Sequence, residues 1–216
     1  RFDDLGLRSQ LWSFTPGEHF TLAILDQWGP ARDFLGNEPR SGDPSRVNYA
    51  YIPAADRPEL DLIHNHAYWV SELELRDGTG EPATDPARGE IDAKSLAYGE
   101  GEPNTTSVGP GAAAPLDGLT GVNTIEGTEW DGIPSAPAEN ALELELENVG
   151  EVLIDGTRAK LDGTTPLRIT YTADGPGAVR VAIDLPAGAS ADGATITPEG
   201  LRIDVAAGEG EITVTP

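Results

Sequence analysis

Apolar and polar residues alternate with a period of two along most of this chain, the spacing of strands that bury one face. The alternation predicts strands at Gln10–Thr15, His19–Leu25, Arg46–Ile52, His66–Arg76, Glu90–Tyr98 and Leu119–Ile125. Further along it predicts Ala141–Glu147, Val152–Asp155, Leu167–Thr172, Ala178–Asp184, Ala194–Thr197, Leu201–Val205 and Glu211–Thr215. Ala141–Glu147 is the clearest, with Leu142, Leu144 and Leu146 between Glu143, Glu145 and Glu147. One face is apolar and the other acidic, so this strand belongs to a sheet with one wet side. Helical spacing is nearly absent; Pro30–Leu35 reads as a single turn, opened by a proline that the first helical position accepts.

Turn chemistry separates the strands. Seven Asp-Gly pairs begin at Asp77, Asp117, Asp131, Asp155, Asp162, Asp174 and Asp192. Such pairs favour tight turns, and Asp155-Gly156, between two short apolar stretches, is expected to close a hairpin. Gly99–Pro115 is rich in Gly, Pro and small residues and reads as a long loop; Ile133–Glu139 is a second proline-rich joint. The expected organisation is therefore all-β: a β-rich region over residues 1–135, then an immunoglobulin-like or related β-sandwich over residues 138–216. The Cys–Trp–Cys pattern of antibody domains is missing, since the chain has no cysteine.

Charge narrows the function classes. Asp and Glu number 37 against 14 Lys plus Arg, a formal net charge of -23. Nucleic-acid binding needs a basic footprint, so nucleic acid is excluded as a partner, and anionic membrane surfaces with it. No apolar run approaches the roughly 18 residues of a spanning helix. Two readings explain the acidity: adaptation to strong salt, where screening removes self-repulsion, and a calcium-binding or generally acidic extracellular surface. The chain opens at Arg1 in mid-pattern, as a mature product, a fragment or a released domain would.

Candidate chemistry is sparse. There is no cysteine and no Gly-x-Ser-x-Gly nucleophile elbow. The three histidines are His19, His64 and His66. In a strand His64 and His66 would share a face, and with Asp61 or Asp56 they would make a partial His/His/carboxylate metal site or supply a general base. The alternative is that one packs beside Tyr68 and Trp69 while the other caps a strand. No cofactor is expected unless it is calcium. The Asp77-Gly-Thr-Gly-Glu81 and Thr84-Asp85-Pro86 loops carry calcium-type ligands without the twelve-residue EF-hand pattern. Asn104-Thr105-Thr106 matches the N-glycosylation sequon. Aromatic residues gather in the first part of the chain; Trp28, Tyr68 and Trp69 would bind a carbohydrate or polymer surface if exposed, and fill the core otherwise.

Gly6–Trp12 (GLRSQLW), Phe20–Gly36 (FTLAILDQWGPARDFLG) and His66–Asp77 (HAYWVSELELRD) resemble the C-terminal, β-rich part of large secreted hydrolases of actinobacteria and haloarchaea, whose catalytic domain is a separate α/β-hydrolase. The resemblance implies an extracellular or cell-surface location and a serine hydrolase of peptidase, esterase or polymer-depolymerase type. Because the elbow serine is missing, it also implies that this chain is the non-catalytic portion, partnered by a catalytic α/β-hydrolase domain or chain. A second class of function is a self-assembling surface protein, an S-layer or filament subunit, in which Ala141–Glu147 or Glu211–Thr215 is donated to a neighbour's sheet. The third is a stand-alone metal-dependent enzyme built on His64 and His66.

Overall fold

Strand formation follows the alternation closely. The computed structural model describes residues 8–15, 32, 35–36, 41–81, 83–109 and 122–216. In chain order the strands are β1 Ser9–Thr15, β2 Arg46–Tyr51, β3 Val70–Leu75, β4 Gly89–Ser95, β5 Thr105–Val108, β6 Val122–Trp130, β7 Ala141–Glu147, β8 Val149–Asp155, β9 Leu167–Ala173, β10 Gly177–Ala182, β11 Ser190–Asp192, β12 Thr195–Thr197, β13 Gly200–Val205 and β14 Gly208–Thr215. The expected strand His19–Leu25 lies outside the described residues. The predicted helical turn is described only at Arg32, Leu35 and Gly36, where the Gly36 amide donates to the Arg32 carbonyl at 2.9 Å.

Contacts divide the chain into two units, residues 1–40 with 101–135 and residues 41–100 with 136–216. The first holds an antiparallel sheet in the order β1-β6-β5. Its β5 rises from the stretch expected to be loop, because three Thr and Ser residues with a Val give a strand too polar to alternate visibly. The second unit changes the division expected between residues 1–135 and 138–216. β4 pairs along its length with β7, Ile91 opposite Leu146 and Ala93 opposite Leu144, so the segment before the long loop belongs to the same sheets as the C-terminal part.

That second unit is a sandwich of a six-stranded sheet, β11-β14-β9-β7-β4-β2, and a five-stranded sheet, β12-β13-β10-β8-β3. From β7 to β12 consecutive strands alternate between sheets, and the two strand orders run in step: β4 with β3, β7 with β8, β9 with β10, β14 with β13, β11 with β12. The two layers share one apolar core; its fully buried members include Ile91, Leu142 and Ile169 from one sheet and Ile154, Val179 and Ile203 from the other. β7 pairs parallel with β9, and β8 with β10. These central parallel pairs differ from the antiparallel sheets of an immunoglobulin-like domain. Asp155-Gly156 likewise closes no hairpin. β8 and β9 lie in different sheets, and the Asp155 carboxylate instead caps a local turn by accepting the Arg158 amide at 3.0 Å.

The six-stranded sheet has one strand more than its partner, and the connection between β2 and β3 covers the difference. The Leu73 amide donates to the Asn65 carbonyl at 3.0 Å, which lays residue 65 along the edge of β3. Edge strand β3 also carries a bulge where Glu72 has φ 51°. Bulges and covering segments of this kind block strand addition.

Candidate functional site

The most developed polar cluster hangs from the inward-facing tyrosines of β2. Val47 and Tyr51 are buried on that face of the strand. Two 3₁₀ turns follow, Pro53–Ala55 and Pro58–Leu60, each opened by a proline that presets φ. They bring Asp56 back beneath the strand. The Tyr51 hydroxyl donates to Asp56 Oδ2 at 2.6 Å; Asp56 Oδ1 accepts the His64 amide at 2.8 Å and lies 3.2 Å from His64 Nδ1. The Tyr49 hydroxyl donates to the His64 carbonyl. Asp56 is thus 10% exposed at its side chain while the His64 ring is 51% exposed.

Electrostatics follow from that geometry. Burial pushes the Asp56 carboxyl up, but the Tyr51 hydroxyl, the His64 amide and the His64 ring outweigh it and hold it below the ordinary 3.8. The Tyr51 phenol is pushed up to about 12, first by burial and then by its bond to Asp56. A carboxylate that fixes one imidazole nitrogen leaves the other directed elsewhere, the arrangement of an oriented base. Among the described residues, however, the His64 ring bonds only Asp56, and no hydroxyl nucleophile stands with it. Asp56 therefore acts as a clamp that fastens the 53–64 loop to β2.

Asp56→Asn removes the charge from that clamp. It is expected to cost about 1–3 kcal/mol at neutral pH, the range for a lost charge-assisted bond with its partners left behind. The sign of the pH dependence is set by the lowered carboxyl. Its contribution is complete above the unfolded value and is lost as pH falls through the folded one. Urea midpoints from about pH 7 to about pH 3 should show the gap between wild type and Asp56→Asn closing at the acid end.

The other residues singled out from the sequence fall into place differently. Residues 63–66 are irregular rather than extended, so the shared-face argument for His64 and His66 does not hold. Asp61 caps the second 3₁₀ turn at φ 57° and is exposed; Asp56, not Asp61, meets His64. Among the described residues no group of three His, Asp or Glu is placed to hold a metal ion. Trp69 is 1% exposed and donates Nε1–H to the Pro44 carbonyl at 2.7 Å, which makes it a core residue and not a binding platform. Tyr68 is half-buried against the core with φ 55°, and Trp28 lies outside the described residues. In the loop read as calcium-type, Asp77 Oδ1 accepts the Thr79 amide at 2.8 Å, and Glu81 pairs through its backbone with Asp85. These are turns closed by their own chain. Asn104 is exposed just before β5, and the sequon's Thr106 hydroxyl donates to Asp131.

Sequence reasoning missed a second cluster, at the point where β7 crosses to β8. Asn148 alone makes that crossing, at φ 52°. Its Oδ1 accepts the Asp77 amide at 2.8 Å, and its Nδ2 donates to the Asp77 and Arg88 carbonyls at 2.9 Å each. Its amide donates to Asp174 Oδ1 at 3.0 Å, and Asp174 in turn takes both arms of Arg76 at 2.9 and 2.8 Å. The Arg76 pair chiefly holds the Asp174 carboxyl below its ordinary value. A lone Asn in an acidic stretch is the signal that would have found this hub, since Asn accepts the left-handed region more readily than most residues.

A third feature is the outer face of the six-stranded sheet. Asp92 stands opposite Glu145, and Glu90 opposite Glu147. Thr170 separates Glu143 from Glu211, and Thr172 separates Glu145 from Glu209, around an open depression of ≈ 500 Å³. Arg46 answers part of this charge with a two-armed bond to Asp92 at 2.7 Å. The outer face of the other sheet is balanced instead: Arg180 and Arg202 stand opposite one another, with Glu151 within 2.7 Å of the first and 3.7 Å of the second. No family model, no curated protein and no solved structure matches this chain.

Proposed function

We propose that this chain is a non-catalytic β-domain portion of an extracellular hydrolase, of peptidase, esterase or polymer-depolymerase type, from a salt-adapted microbe. Its role is to support the catalytic α/β-hydrolase domain or to attach the enzyme to its substrate. The observation that carries this reading is where the polar clusters end. Both carboxylate oxygens of Asp56 and both side-chain polar atoms of Asn148 are spent on the chain's own loops and strands. The resembling segments supply the hydrolase context. Isolation of the chain from its source in strong salt, with identification of the chain it belongs to or travels with, tests the reading.

Salt adaptation has its own support in the carboxylates set opposite one another on β4 and β7. Opposed like charges destabilise a sheet by about 0.2–1 kcal/mol per pair, and about 1 M salt shortens the screening length to about 3 Å. Thermal midpoints should therefore rise by several degrees between dilute buffer and molar salt, at about 2–4 °C per kcal/mol for a chain of this size. Glu145→Gln should raise the midpoint in dilute buffer and leave it unchanged in strong salt. A midpoint indifferent to salt would remove this part of the reading.

For the alternative, a cell-surface structural subunit, the two strands first considered for donation differ. β7 lies between β9 and β4 along its length, whereas β11 covers β14 only at Thr213–Thr215, and among the described residues no strand pairs with the other side of Gly208–Ile212.

A further inference from the structure

We propose that Asn104 carries an N-linked oligosaccharide in the mature protein, attached at the sequon Asn104-Thr105-Thr106. The inference rests on the extracellular placement in the reading above and not on the hydrolase companion.

The sequon singles out one asparagine of the seven in the chain. Asn37, Asn48, Asn65, Asn123, Asn140 and Asn148 have Pro, Ala, Ala, Ile, Leu and Gly two residues on. Asn104 has Thr106 there, with Thr105 and no proline between. A three-residue motif specifies an acceptor where the fold presents it at the surface.

This fold does so. Asn104 immediately precedes β5, and Asn104, Thr105, Thr106 and Ser107 are all exposed. The backbone at 104 is fixed: its amide donates to the Gly132 carbonyl at 3.0 Å, and its carbonyl accepts the Asp131 amide at 2.8 Å. The Thr106 hydroxyl donates to the carboxylate of the same Asp131. Asp131 thus holds both ends of the sequon, and neither bond uses the Asn104 side chain. That side chain bonds none of the described residues. Three asparagines of the sandwich do the reverse. Asn48 Nδ2 donates to Asp92 at 3.0 Å, Asn140 Nδ2 donates to the Asp162 carbonyl at 2.7 Å, and Asn148 spends both polar atoms on loops. The Asn104 amide holds nothing in the fold, so a sugar on its nitrogen takes no hydrogen bond from the chain.

The donor class is an oligosaccharide carried on a lipid phosphate, delivered by a transferase. Asn104 Nδ2 attacks C1 of the first sugar. The N–C1 bond forms, and the bond from C1 to the phosphate oxygen breaks, its electron pair leaving with the lipid phosphate. The amide nitrogen gives one of its two protons to a base of the transferase and keeps the other.

The test is mass spectrometry of the chain isolated from its source in strong salt. A chain heavier than 22.7 kDa by whole sugar residues is expected, with electron-transfer fragmentation placing the added mass on Asn104. Mild alkali, which strips sugars from Thr and Ser but not from Asn, should leave it in place. Produced in the source organism, Asn104→Gln and Thr106→Ala should each lose the added mass, and Thr106→Ser should keep it, because a serine hydroxyl completes the sequon. Circular dichroism confirms that the variants fold; if one does not, the mass and attachment site of the native chain decide. A bare Asn104 overturns the proposal. So does sugar found only on Thr105, Thr106 or Ser107, or sugar on Asn104 that persists in a folded Thr106→Ala chain. The accessory reading fails separately: a glycan at Asn104 without a catalytic companion contradicts that reading alone, and a companion beside a bare Asn104 contradicts this one alone.

Discussion

Trp69→Ala is expected to cost the sandwich about 3–5 kcal/mol, the range for emptying a large aromatic from a packed core. The ring is 1% exposed and sits at the start of β3, where its own carbonyl accepts the Asp155 amide at 2.9 Å. Truncation leaves a cavity between the sheets and strips the Pro44 carbonyl of its indole donor. Against a typical total stability of about 5–15 kcal/mol, such a loss brings the domain close to unfolding. Trp69→Phe keeps most of the packing and loses the hydrogen bond, so its cost should be about 1–2 kcal/mol. Urea titration in strong salt measures both. A Trp69→Ala chain with an unchanged midpoint would mean that the ring is not the core residue described.

Asn148→Ala is expected to destabilise by about 2.5–6.5 kcal/mol. Three side-chain hydrogen bonds vanish, each contributing about 0.5–1.5 kcal/mol. Alanine must also adopt φ 52°, which costs a residue with a Cβ about 1–2 kcal/mol. Asn148→Gly separates the two effects, because glycine accepts the left-handed region freely but restores none of the bonds. It should fall between wild type and Asn148→Ala. Equal midpoints for the two variants would mean that the backbone conformation contributes nothing, and a wild-type midpoint for both would remove the hub from the account.

Strand positions were legible in the sequence wherever one face is buried and the other wet. Ala141–Glu147 is a strand over the residues expected, because Leu142, Leu144 and Leu146 reach the core while the glutamates between them stay exposed. Wiring was not legible. Parallel pairing of β7 with β9 leaves no local trace, since the connecting segment crosses between sheets at single residues such as Asn148. The same limit explains Asp155-Gly156: turn chemistry marks a change of direction without saying whether the chain stays in its sheet. β4 was recognised as a strand, but a proline-rich joint between it and β7 suggested a domain boundary that their pairing crosses.

At the clamp, sequence reasoning set Asp61, or else Asp56, beside His64 and His66, and the structure brings Asp56 to His64. The choice of Asp56 rests on two prolines, Pro53 and Pro58, that fold the chain back under β2. Composition separates Trp69 from a surface aromatic no better. Its burial follows from its place beside Val70 and Leu73, both 0% exposed, on a strand whose partner β8 is interior.

The most direct measurement is the intact mass of the native protein, isolated from its source in strong salt without denaturation, with sequencing of every chain that travels with it. The accessory-domain account predicts a longer chain, or a companion, carrying a Gly-x-Ser-x-Gly catalytic domain. A species of 22.7 kDa protomers, associated with nothing but itself, would contradict that account.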